Sequence, residues 1–119
     1  MSFDLVIKNG TVVTAAATYV ADIAITGGKI AAIGQGLSGR RQLDASGKLV
    51  TPGAVDIHVH LQMPIGNFVS TDDFYSGTVA AAHGGTTAIV DFVERAPDES
   101  MVEAIAARRA LADPRVVID

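Results

Sequence analysis

The sequence predicts an α/β fold in two stretches: an all-β segment over residues 1–52 and, from Gly53, strands alternating with helix-length segments. Three observations carry this. Turn signals punctuate the first stretch roughly every 8–12 residues, as in a small sandwich. Past Pro52-Gly53 the order strand, helix, strand, helix, strand spells parallel βαβ units. Within Val55-Asp56-Ile57-His58-Val59-His60, polar residues recur at every second position of an apolar run, which is the period of a strand.

Taken in order, Asp4 to Ile7 read as a strand, Lys8-Asn9-Gly10 as a tight turn and Thr11 to Thr14 as the returning strand, because Asn-Gly is a strong hairpin signal. Ala15 to Thr18 is a loop. Tyr19 to Thr26, Gly27-Gly28 and Lys29 to Ile33 make a second hairpin, Gly34 to Arg41 a loop, and Gln42 to Asp44 and Lys48 to Val50 short strands. Val55 to His60 is a strand with both faces covered. Ser70 or Thr71 caps a helix that carries Asp72 and Asp73 in its first turn. Phe74, Gly77, Thr78, Ala81 and Ala82 share its inner face, and Gly84-Gly85 ends it. Thr86 to Phe92 is a buried strand, a second helix runs from Pro97-Asp98-Glu99 to about Ala112, and Arg115 to Asp119 opens a third strand.

A closed (β/α)8 barrel needs about 250 residues. Residues 53–119 are therefore expected to be the opening strands and helices of a TIM-type barrel, truncated in its third strand, behind a small sandwich-like β segment. The chain is then the first part of a longer one. The competing expectation is a self-contained three-stranded α/β module, whose open sheet edge would call for a partner.

Composition narrows the function classes. The chain is 49% hydrophobic and 18% charged, enough to bury a core. A net charge of −4 with no Lys/Arg stripe argues against nucleic acid. With no cysteine, strong metal ligands reduce to His and carboxylates. Met1-Ser2-Phe3-Asp4 lacks a signal-peptide layout, and the longest uncharged run, Tyr75 to Val90, falls short of the ~20 residues that span a bilayer. The expectation is a cytoplasmic protein with no membrane partner.

Asp56, His58 and His60 lie on one face of their strand, the two histidines about 6.6 Å apart along it. Two readings fit. Imidazoles so spaced converge on a metal ion, or they are half-buried histidines held by ordinary partners. Three polar groups on an apolar strand each need a partner, which favours metal. Asp56 is a carboxylate orienting the site, or a satisfied buried one. Met63, Ile65 and Phe68, on the loop Gln62 to Val69 that leaves the strand, are candidates for lining a pocket or for packing that loop. Asp91, near the end of the second strand, is a candidate supporting carboxylate. His83 is read as a helix-end histidine facing the dipole.

Pro52-Gly53-Ala54-Val55-Asp56-Ile57-His58-Val59-His60 resembles the start of the barrel in the amidohydrolase superfamily. His60 to Pro64, Thr71 to Phe74 and Ala82 to Thr87 resemble its dihydropyrimidinase/hydantoinase branch. The resemblance covers essentially the whole chain. It implies hydrolysis of a dihydropyrimidine or 5-substituted hydantoin to an N-carbamoyl amino acid. It further implies two metal ions sharing a bridging hydroxide, usually zinc though other divalent ions serve, and a homo-oligomer, a tetramer by the same resemblance. His58 and His60 would hold the more buried ion, and Asp56 would support it. The branch's bridging carboxylated lysine, two further histidines and catalytic aspartate lie on later strands. Lys8, Lys29 and Lys48 all precede the barrel, so no catalytic residue falls within these residues and the chain alone should be inactive. Dihydroorotase and allantoinase are the neighbouring alternatives. The former typically has Arg where Gln62 stands, and no arginine lies near Gln62 in sequence. A non-catalytic relative that works by protein assembly is the alternative from another class.

Overall fold

The computed structural model describes residues 2–119, which divide into two compact units that meet in sequence at Pro52 and Gly53. In the first, β1 (Phe3–Val13) is the centre of a five-stranded sheet. Antiparallel to it runs β2 (Thr18–Thr26), which in turn pairs with β3 (Lys29–Gly34). Along its other edge lie β4 (Gly39–Asp44) and β5 (Leu49–Val50), both parallel to β1. The expected sandwich is thus a single sheet among the described residues. β2, β4 and β5 pair with β1 and β3 pairs with β2, so every strand of this segment is used in the one sheet.

The hairpin expected at Lys8-Asn9-Gly10 is not there. β1 passes straight through, with a register irregularity against β2 between Ile7 and Gly10. The Asn-Gly chemistry is used for a bulge: Asn9 takes φ +60°, a left-handed conformation that Asn tolerates better than most residues. The chain reverses later, where Thr14 N–H bonds Ala17 O at 2.9 Å and the Thr14 hydroxyl accepts from Ala16 and Ala17. Gly10 serves a different need. A Cβ there would come within 2.5 Å of Val50 Cγ2, so its absence lets β5 lie against β1. The Gly27-Gly28 turn forms as expected, both residues at positive φ, as a two-residue hairpin loop requires.

Asp22 holds the bulge. It is 4% exposed. Its Oδ2 accepts from Lys8 Nζ at 2.6 Å and Leu37 N at 3.0 Å, and its Oδ1 accepts from Asn9 N at 3.0 Å. The Lys8 ammonium, then the Asn9 and Leu37 amides, hold its carboxyl below the usual aspartate range. Val6 and Ala24 are fully buried on the same sheet, and Val12, Ala21 and Ile23 form its apolar cluster with Ile7, Ile25 and Val50. Burying a valine contributes roughly 1.5–3 kcal/mol.

The second unit begins with β6 (Ala54–Val59), parallel to β9 (Thr86–Asp91). Between them come a two-residue ribbon, β7 (Pro64–Ile65) with β8 (Phe68–Val69), and helix α1 (Phe74–His83). Helix α2 (Met101–Ala112) follows β9. Both helices start later than expected. Asp73, rather than Ser70 or Thr71, caps α1, accepting Ser76 N at 2.8 Å while Ser76 Oγ accepts Asp73 N. Ser100, past Pro97-Asp98-Glu99, caps α2 in the same reciprocal way with Glu103. A reciprocal cap satisfies two free amides at once, which a single hydroxyl further upstream does not.

Phe74 and Thr78 are the buried residues of α1. β6, expected to be covered on both faces, leaves Val55 60% and Ile57 74% exposed, since among the described residues only β9 pairs with it. Arg115 to Asp119 form no strand. Asp119 alone bridges to β9, its N–H to Thr87 O and its carbonyl to Ile89 N. No helix among the described residues is long and apolar enough to cross a membrane.

Replacing Asp22 by Asn should lower the Tm of the protein at pH 7 on the order of 10 °C, because Lys8 loses its buried counter-ion. A carboxyl depressed in the folded state contributes stability above its unfolded pKa of about 3.9 and loses it as pH falls through the lower folded value. Thermal melts between pH 7 and pH 2 should therefore show less acid destabilisation below about pH 4 in the D22N variant than in the wild type. Equal acid sensitivity would remove Asp22 from that role.

Candidate metal centre

β6 is drawn against β9 from its first residues. A Cβ on Gly53 would lie inside the Thr87 side chain, so Thr87 packs against the Gly53 backbone only because residue 53 has none. The ladder then runs Ala54 to Thr86, Val55 to Ala88, Asp56 to Ile89 and Val59 to Asp91, with an irregularity between Asp56 and Val59. Within that irregular stretch the His58 N–H is taken by Asp56 Oδ1 at 3.1 Å. Asp56 therefore holds the backbone of a histidine, and it is exposed on a strand that has only β9 beside it among the described residues.

His58 and His60 project together. Their Nε2 atoms are 3.0 Å apart, with ring centroids at 5.0 Å and an interplanar angle of 61°. Both are exposed among the described residues. Phe92 backs the pair: its ring stacks on His58 at 4.4 Å and lies 4.9 Å from His60. Its amide donates to Val59 O at 3.0 Å, which fixes that ring beside the strand end. Nothing in the periodicity of the sequence singled out Phe92.

At 3.0 Å the two Nε2 atoms are within hydrogen-bonding distance of each other, and the donor type, two exposed imidazole nitrogens, is one that suits a borderline-soft divalent ion. Among the described residues no third His, Cys, Asp or Glu joins them. Asp91 does not reach the imidazoles. Its Oδ1 accepts from Leu61 N at 3.3 Å and from Arg108 Nη2 at 3.0 Å, and its Oδ2 accepts from Arg108 Nε at 2.5 Å.

The loop leaving β6 divides the three apolar candidates. Met63 lines a cavity of about 200 Å³ with Pro64, Phe92, Val93, Arg108 and Leu111. Ile65 and Phe68 are not on its wall; they face each other across the β7–β8 ribbon, 54% and 77% exposed. His83 closes α1, where its helix-end reading put it. Gln62, at φ +46°, is not clear of arginine as the sequence suggested. Arg115 Nη1 donates to its Oε1 at 3.2 Å and Arg108 Nη1 to its carbonyl at 3.4 Å. Both contacts join residues over forty positions apart, beyond what local sequence can reveal.

The His-x-His pair ends a strand of a parallel strand–helix–strand unit, and residues 49–119 match the amidohydrolase family. The chain belongs to that family, whose members are generally metal-dependent. It is similar to a D-hydantoinase of Geobacillus stearothermophilus, 50% identical over 115 residues, which are 95% of this chain and 24% of that protein. It is also similar to the dihydropyrimidinase of Rattus norvegicus, 43% identical over 97% of this chain and 24% of the relative. A solved D-hydantoinase structure from Bacillus sp. AR9 superposes with a TM-score of 0.93 at 49% identity, over 98% of this chain and 26% of the other. The chain spans about a quarter of the length of the curated relatives it matches.

The Gly53 contact gives a test of how the strand is seated. Gly53→Ala should destabilise the protein by roughly 1–3 kcal/mol through overpacking, read in denaturant titrations. Adding Thr87→Gly should recover much of the loss. Independent, additive effects would show that the strand pairing does not depend on Thr87 packing against Gly53.

Proposed function

We propose that the protein is a metal-dependent cyclic amidohydrolase of the dihydropyrimidinase/hydantoinase type, opening dihydropyrimidines or 5-substituted hydantoins to N-carbamoyl amino acids. In this reading β6 and β9 are the first two strands of a (β/α)8 barrel, and His58 and His60 stand at the C-terminal end of the first, the end at which barrel enzymes place their chemistry. The observation that carries it is the 3.0 Å approach of the two Nε2 atoms.

Each residue then has a task. His58 and His60 are ligands to zinc, one of two divalent ions expected. Bound metal would supply a water of pKa near 7 and polarise the amide carbonyl. Asp56 fixes the His58 backbone, and Phe92 keeps both imidazoles from rotating away from their common point. Met63 presents an apolar wall to the ring substituent. Two imidazoles are fewer than the three protein ligands a catalytic zinc takes, so the remaining ligands and the catalytic aspartate are assigned to residues outside these 119. The family relationship supports a small cyclic ureide as substrate and a cytoplasmic homo-oligomer, and the net charge of −4 speaks against a nucleic-acid partner.

One observation favours a second substrate class. The Arg115 guanidinium at Gln62 offers a cation to a ring carboxylate, as in dihydroorotate. The product of the complete gene should hydrolyse dihydrouracil or a 5-substituted hydantoin faster than dihydroorotate or allantoin. His58→Ala and His60→Ala should each lower kcat/KM on the order of 10³-fold while depleting metal. Faster dihydroorotate turnover would favour the second class. A purified protein with neither metal nor turnover would leave the assembly role.

A further inference from the structure

We propose that Arg108 is a positioning residue for the His58/His60 pair, acting through Asp91 on the backbone that leaves the strand directly after His60. The inference rests on the metal reading given above.

Arg108 lies in the middle of α2, on a different element from either histidine. Its Nε and Nη2 fork onto the two oxygens of Asp91, at 2.5 and 3.0 Å, with both side chains 15% exposed. The same Nη2 also donates to Leu61 O, and Nη1 donates to Gln62 O at 3.4 Å. The guanidinium carbon sits 4.5 Å from the centroid of the buried Phe74 ring, at the start of α1. One side chain therefore ties together the strand that follows α1, the helix after it and the two residues that follow His60.

His60 is bracketed by that arrangement. On its N-terminal side, Val59 is paired with Asp91 and its carbonyl accepts from Phe92 N. On its C-terminal side, Leu61 N donates to Asp91 Oδ1. The carboxylate keeps that direction because Arg108 occupies both its oxygens. Gln62 then turns at φ +46°, a conformation that side chains bearing a Cβ rarely adopt unless their surroundings impose it. Here both carbonyls at the turn are bonded by Arg108. Without the guanidinium, the Asp91 carboxyl is free to rotate, and the turn loses its donors. The His60 ring then loses its fixed place opposite His58. A lysine does not substitute, since a point-like ammonium lacks the planar fork that reaches a carboxylate and two carbonyls together.

The test is metal affinity, read by competition with a chromophoric chelator on the full-length protein loaded with zinc. Arg108→Ala should weaken binding about 10–100-fold, the range for outer residues that orient metal ligands. Arg108→Lys should recover only part of that, and Asp91→Asn should weaken it similarly. The R108A/D91N double variant should be little worse than the worse single one. Arg109→Ala, which breaks an exposed pair with Asp113 on the same helix, should leave affinity unchanged. If R108A does not fold, R108K and D91N carry the same reading. Wild-type affinity in R108K and D91N, even with a lowered Tm of the metal-free protein, would overturn the proposal, as would additive effects in the double variant. If His58→Ala leaves the metal content of the protein intact, the metal reading itself fails and this inference falls with it.

Discussion

The parallel pairing of β6 with β9 is the constraint on which the candidate centre depends. Its last rung sets Val59 opposite Asp91, and the neighbours of that rung do the rest. Phe92 bonds the Val59 carbonyl and lays its ring against both imidazoles. Asp91 takes the Leu61 amide. Because side chains on a strand alternate between faces, once Val59 is fixed His58 and His60 have one side on which to meet. A shift of one residue in this register would send both rings to the other face. Gly53 sits at the opposite end of the same ladder, and its missing side chain lets Thr87 pack against it.

The first unit solves a comparable problem with a different device. Its central strand carries a bulge at Asn9, and a bulge frees backbone groups from the ladder. Asp22 accepts the Asn9 amide, and its remaining acceptor capacity holds Lys8 and the loop at Leu37. In each unit a buried or half-buried aspartate is fully partnered by a cation and by backbone amides. That is the condition under which such a group is tolerated in an interior.

The period-2 alternation of Asp56, His58 and His60 was legible because strand geometry makes it so, and the rings meet as that geometry requires. Strand and helix types were legible too, from Gly27-Gly28, from the small-residue face of α1 and from the apolar runs. Four kinds of feature were not. Asn9-Gly10 serves a bulge as well as a turn, and only the pairing of β2 along the whole of β1 decides between them. Helix starts were misplaced because Ser70, Thr71 and Asp73 are all good caps, and the reciprocal bond with Ser76 selects the last. The arginines at Gln62 and the buried role of Asp22 arise from contacts between distant parts of the chain, for which local pattern has no signal. β6 reads as a covered strand, yet its apolar side chains are exposed, since one neighbouring strand covers only an edge.

The proposed metal centre requires one metal ion between the two histidine Nε2 atoms. Anomalous X-ray scattering from crystals of the complete gene product, grown with zinc and recorded on both sides of its absorption edge, addresses this directly. The account expects a peak about 2.0–2.1 Å from both His58 Nε2 and His60 Nε2, with the rings still resting on Phe92. Zinc bound elsewhere, with the 3.0 Å imidazole–imidazole contact kept and no ion on either Nε2, would contradict it.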